Sequence, residues 1–246
     1  MDNDASREWE IRCDLAAAYR LIAHFCMDDL IATHLSARLP GGEHRFLLNP
    51  YGTMFDEVTA SSLVVVDPET HVIEEEEESK INIAGFTIHS AVHMGRKDTQ
   101  CVMHTHTVAG IAVAAQEQGL LPLSQKSMIL YGGIAYHDYE GIALNLDERE
   151  RLVRDLGGKD LMILRNHGLL TVGRTVSEAF LNMYQLELAC RIQIAAMQGG
   201  QKIILPSEHV VAYTAAQCKH NRYNQSQRPW AALKRRLDRI SPDYAT

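Results

Sequence analysis

The chain has 246 residues, 46% hydrophobic and 22% charged, enough to bury a full core as one α/β domain and unlike a disordered or fibrous composition. Its 24 basic and 31 acidic residues give a net charge of -7, which argues against a nucleic-acid partner but leaves room for a small anionic substrate, since a pocket's local field can oppose the net charge. No apolar run approaches the roughly 20 residues of a membrane helix, the acidic N-terminus does not read as a secretory signal, and five cysteines without C-x-x-C spacing predict free thiols in the cytoplasm.

Ile11, Leu15, Tyr19, Leu21 and Ile22 recur every three or four positions, predicting an amphipathic helix over residues 6 to about 28 with Ser6 as N-cap. Alternation over 32–38 and an apolar run over 45–48, separated by Pro40 and two glycines, predict two strands. Asn49-Pro50-Tyr51-Gly52 ends the second, and residues 61–66 and 72–73 read as further sheet. The acidic run 74–78 reads as a solvated hairpin or edge, because adjacent like charges favour water. A helix is expected over 84–96, a strand over 100–107 ending in His-Thr-His, and a small apolar helix over 108 to about 117. Residues 120–139 alternate irregularly. A helix over about 147–156 stops at Gly157, and 161–164, apolar on both faces, reads as a buried central strand. A further strand over 168–172 leads into a long helix over about 176–197. The tail from 206 has helical character. No repeat or linker divides the chain, so residues 1–246 are expected to form one domain.

The chemistry concentrates on histidine. In a strand, His104 and His106 point to the same face and can converge on one ion. A third ligand must come from elsewhere, and His167, at the end of an apolar strand and followed by Gly168, can supply it. Three neutral imidazoles suit zinc first, or iron, manganese or cobalt, and leave a position open for substrate or water. His89 and His93 share one helix face. His89 is a candidate for acid/base or substrate contact, while His93 reads as packed or exposed. In the aromatic cluster that follows residue 126, Tyr131 and Tyr136 are the candidate proton donors. Arg165 reads as a structural ion pair, and Glu187 as a partner of a ligand histidine or of Arg191.

The stretches ATHLSAR from Ala32, NPYG from Asn49, AGFTIHSA from Ala84, VMHTH from Val102, YHDYEG from Tyr136 and LRNHG from Leu164 together resemble the class II aldolase/adducin family over residues 14 to about 196. The resemblance implies a three-layer α/β/α fold around a mostly antiparallel sheet, with 206–246 as a helical extension. It also implies a homotetramer with the metal site near a subunit boundary. In its fuculose-phosphate aldolase-like members the histidines matching His104, His106 and His167 bind zinc, which stabilises an enediolate by Lewis-acid polarisation. Two departures stand out. Where the sugar-phosphate aldolases carry Ser-Ser-Glu, this chain has Ile83, Ala84 and Gly85, so the phosphate hydroxyls and the acid/base glutamate are absent. Where they carry an asparagine in the first phosphate loop, this chain has His34.

The first function this predicts is a metal-dependent lyase, acting on a small carbonyl or hydroxy-acid compound by retro-aldol cleavage or decarboxylation. A mononuclear iron oxygenase on the same scaffold is the second reading, because loss of the glutamate suits a reaction without that proton shuttle. A non-catalytic adducin-like module is the third, since the stretch from Ala84 looks closer to adducin than to the sugar aldolases.

Overall fold

The computed structural model describes residues 2–41, 44–67, 81–141, 147–219 and 222–246. The acidic run and the expected strand at 72–73 lie outside them. Helix α1 (Asp2–His24) precedes strands β1 (His34–Arg38), β2 (Phe46–Leu48) and β3 (Val64–Val66). Next come α2 (Ile83–Gly95), β4 (Cys101–Thr105), α3 (Val108–Ala114), the single turn α4 (Gln125–Met128) and β5 (Ile134–His137). Then follow α5 (Glu148–Leu156), β6 (Leu161–Leu164), β7 (Gly168–Gly173), α6 (Val176–Met197), α7 (Glu208–Lys219), α8 (Arg222–Ile240) and a 3-10 turn at Pro242–Ala245.

The described strands form one seven-stranded sheet in the order β3-β2-β1-β4-β7-β6-β5. Its pairings are antiparallel except β5 with β6, as the mixed, mostly antiparallel expectation requires. β4 lies at the centre, and all five of its residues are buried. Period-two alternation divides the core. Leu35, Ala37, Cys101, Met103, Ile163 and Leu169 face α1 and α6, whereas Val102, Met162, Leu170 and Val172 face α2 and α5. Helices therefore cover both faces, and a fully buried leucine or phenylalanine on either one contributes roughly 1.5–3 kcal/mol.

Three expectations need correction. Ser6 is no cap: α1 already begins at Asp2, and its first turns, exposed over residues 4–7, run on as helix through the residue that resembled one. The irregular stretch contains β5, a short edge strand whose burial alternates, and the α4 turn, closed by a Ser124–Ser127 capping box. His106 lies just beyond the end of β4, although the strand was expected to run to 107. In the helical extension, Trp230 is core, 5.6 Å from the Phe180 ring.

Side chains tie the layers together. The buried Tyr19 hydroxyl donates to the Leu35 carbonyl and meets Asn49 Oδ1 at 2.8 Å, so α1 holds β1 and the turn after β2. The chain's end is stitched to α1: Lys234 Nζ lies 2.8 Å from Asp14 Oδ1, and Arg20 Nη2 lies 2.9 Å from Asp243 Oδ2. No described helix is long and apolar enough to cross a membrane.

Candidate metal centre

His104 is the second-last residue of β4, and its Cα partner on β1 is His34. His106 is two residues further along and keeps the same side. His167 reaches the pair from the turn between β6 and β7. That turn is made by Asn166, which adopts the left-handed φ of 56°, a conformation asparagine tolerates better than most residues. Gly168, which opens β7, serves close packing. A Cβ there would strike the Thr105 carbonyl oxygen, so glycine lets β7 pack against the end of β4 and draws His167 to His106.

The three rings converge. His104 Nε2 lies 2.8 Å from His106 Nε2, which lies 3.0 Å from His167 Nε2. Each ring offers one nitrogen within 4.8 Å of the others. Their outward nitrogens set the tautomers. His104 Nδ1 sits 3.0 Å from the Leu169 carbonyl oxygen, and His106 Nδ1 sits 3.1 Å from Asp29 Oδ2. A carbonyl and a carboxylate only accept, so both Nδ1 atoms carry hydrogens, and in the neutral rings both Nε2 atoms present lone pairs.

Two lone pairs facing each other at 2.8 Å repel unless a cation lies between them. His104 and His167 are poor places for a proton. Burial, then the neighbouring His167, His34 and His106 rings, pushes His104 well below the ordinary histidine range. Burial and the rings of His106 and His137 bring His167 down to about 4. The donor set therefore fits a divalent ion, which takes neutral imidazole at about 2.0–2.1 Å.

A second group of histidines adjoins the first on the α2 side of the sheet. His34 stands 5.1 Å from His104, centroid to centroid, and its Nδ1 meets His89 Nε2 at 2.8 Å. His89 Nδ1 bonds Ser36 Oγ, which also lies 2.7 Å from His93 Nε2. All four residues are buried. His34 also fills the space at Gly85, where a Cβ would stand 2.6 Å from its Cδ2. The imidazole from β1 and a side chain at Gly85 on α2 thus compete for one space.

The other expected residues are less central. His89 has both ring nitrogens bonded within the protein, so it reaches the site through His34. The Tyr136 hydroxyl accepts from Leu120 N at 3.0 Å, and its ring lies under the Arg165 guanidinium at 4.4 Å, a structural setting. Tyr131 precedes β5 and lines a cleft with Gly158, Lys159 and Asp160. Because β5 and β6 are parallel, it sits at the opposite end of that pair from His167. The tyrosine nearest the triad is Tyr139, with its ring 6.1 Å from that of His167. Among the described residues Arg165 has no ion-pair partner, and it donates to the Gln116 carbonyl at 2.6 Å. Glu187 accepts from the Thr107 hydroxyl, not from a ligand histidine, and burial raises its pKa. Sequence reasoning missed Asp29 and Ser36. Ser36 could have been found from its period-two spacing to His34, but Asp29 lies in a loop with no periodicity.

A family model described as the class II aldolase and adducin N-terminal domain matches residues 13–194. The chain belongs to the class II aldolase and adducin family. Among its relatives is a protein of Caulobacter vibrioides, described provisionally as a class 2 aldolase, with 52% identity over 97% of this chain and 93% of that one. Mouse alpha-adducin is 43% identical over 76% of this chain, a match that covers 26% of adducin. The L-fuculose 1-phosphate aldolase of Glaciozyma antarctica superposes with a TM-score of 0.84 at 30% identity, over 99% of this chain and 95% of that one. Within this family, His104, His106 and His167 are the one cluster among the described residues suited to hold a metal ion.

Proposed function

We propose that the chain is a metal-dependent carbon–carbon lyase, performing retro-aldol cleavage or decarboxylation of a small carbonyl or hydroxy-acid compound. The observation that carries this reading is the convergence of three ring nitrogens, His104 Nε2 at 2.8 Å from His106 Nε2 and His167 Nε2 at 3.0 Å from the latter. His104, His106 and His167 would hold the ion, zinc first and iron, manganese or cobalt as alternatives. Bound there, it supplies Lewis-acid polarisation of a substrate oxygen, which lowers the cost of carbanion charge beside a carbonyl. The protein's own part is to orient the three rings and, by burial, to keep those of His104 and His167 neutral. Of the residues first expected to move protons, His89 is retained as acting through His34, and Tyr131 and Tyr136 have no described contact with the triad. A phosphorylated sugar is disfavoured, because Ile83, Ala84 and Gly85 bring no hydroxyl or carboxylate.

We further propose a cytoplasmic homotetramer built from single 246-residue domains. Free thiols at all five cysteines support the compartment. Leu30 and Val108, exposed beside Asp29 and near His106, support a subunit boundary at the site. Packing of Trp230 into the main core supports one domain.

The missing carboxylate at Gly85 favours a second reading, an iron oxygenase, since three histidines also hold ferrous iron with open positions. The likeness to alpha-adducin favours a third, a non-catalytic module. Metal analysis of protein purified without oxygen, for wild type and His104→Ala, separates them. Zinc in the wild type, lost in the variant, with no oxygen uptake supports the lyase. Iron with oxygen uptake supports the oxygenase, and no divalent metal bound at micromolar concentration supports the module.

A further inference from the structure

We infer that Asp29 is a positioning residue of the metal centre, holding His106 in the tautomer and orientation in which its Nε2 faces the cation. The inference rests on the metal-dependent reading above.

His106 needs an external hold. The β4–β7 ladder ends at Thr105 paired with Leu169, so His106 lies beyond the last backbone pairing of the strand. His104 has the Leu169 carbonyl to fix its ring. For the outward nitrogen of His106 the corresponding partner is the Asp29 carboxylate, 3.1 Å away. Asp29 pairs with no other cation among the described residues, so its charge is directed at the ring.

The backbone around Asp29 gives a second, independent indication. Among the described residues other than glycine, three have positive φ, and two of these, Cys26 at 54° and Leu30 at 48°, bracket Asp29 in the loop from α1 to β1. The third, Asn166, adjoins His167. Leucine is a poor occupant of that region. Packing does not explain its conformation, because Leu30 is 68% exposed. The turn closes with Ala32 N donating to the Asp29 carbonyl at 2.9 Å, and its outcome is a carboxylate delivered to His106. Strained backbone of this kind persists where surrounding structure over-determines it, commonly at ligand sites. A carboxylate on the far nitrogen of a ligating histidine fixes the ring and strengthens it as a donor.

The test is metal affinity, which needs no substrate. Zinc is titrated into the full chain against a chromophoric chelator, for wild type, Asp29→Asn, Asp29→Ala and His104→Ala, with cobalt(II) absorption spectra and melting of the metal-free proteins alongside. Asp29→Ala is expected to weaken zinc binding by about 10- to 100-fold and to alter the cobalt spectrum, while metal-free melting stays unchanged. Asp29→Asn, whose amide oxygen still accepts from Nδ1 but carries no charge, falls between Asp29→Ala and wild type. Affinities of both variants within about twofold of wild type, with an unaltered cobalt spectrum, would overturn the inference and leave the metal centre standing. A wild-type chain that binds neither ion overturns the metal-dependent reading and the inference with it.

Discussion

A methyl group on Gly85 would stand 2.6 Å from His34 Cδ2 and 2.8 Å from Cγ, so an imidazole at 34 and a side chain at 85 exclude each other. Gly85→Ala should therefore destabilise the protein by about 1–3 kcal/mol, the usual cost of overpacking a core. In urea denaturation, most of that loss should disappear when Gly85→Ala is combined with His34→Ala, because the two sites share one space. Additive losses would show that the space is not shared. The same polar layer predicts a pH dependence. Burial first, then Arg38 and His44, brings His93 down to about 3, and burial likewise lowers His34 and His89. A histidine whose folded pKa is depressed contributes its full stability above the unfolded value, near 6.5. Below that value the unfolded chain binds the proton and the folded chain does not, so stability falls as pH falls. Through His93 the metal-free protein should lose up to about 1.4 kcal/mol per pH unit between about pH 6.5 and 4, with His34 and His89 contributing in the same direction. His93→Gln should shallow that slope in denaturation curves at several pH values. An unchanged slope would count against a neutral His93.

At the scale of elements, the site is a meeting of strand ends. β4 supplies His104 and His106, and the β6–β7 turn supplies His167, brought in by the approach that Gly168 permits. Gly168→Ala should force β7 away from the Thr105 carbonyl. It should cost about 1–3 kcal/mol of stability and weaken zinc binding, both read on one purified variant. Gly158→Ala is the matched control, because a Cβ there meets nothing within 4 Å. Equal behaviour of the two variants would remove the packing argument. Helix α2 completes the arrangement: Asn82 caps it by accepting from Gly85 N at 3.2 Å, and its buried face carries His89 and His93 over β1.

In the molecule as a whole, the segment after α6 belongs to the main core. Trp230, Leu237 and Tyr244 are buried in the cluster that contains α1 and α6, and Trp230 Nε1 donates to Asp14 at 3.3 Å. Trp230→Ala should cost about 3–5 kcal/mol, as truncation of a buried tryptophan does, and the melting temperature should fall accordingly. A loss below about 1 kcal/mol would mean that this helix is only loosely docked. The family match ends at residue 194, so this helical cover lies outside the shared domain, although the Caulobacter relative extends along 97% of the chain.

The order of helices and strands, the alternation that gives the sheet two covered faces, and the identity of the three converging histidines were legible in the residues, because periodicity and strand-end position are local properties of the chain. β5 and the α4 turn were not, since each is only four residues long and, unlike the equally short β6, neither is a continuous apolar run. Asp29 as a partner of His106, His34 as the group filling the space at Gly85, and the removal of Tyr131 to the far end of its strand pair were decided by the tertiary structure. Each depends on which segments become neighbours after the sheet assembles in its own strand order, and no spacing along the chain encodes a distance between groups that meet only across the sheet.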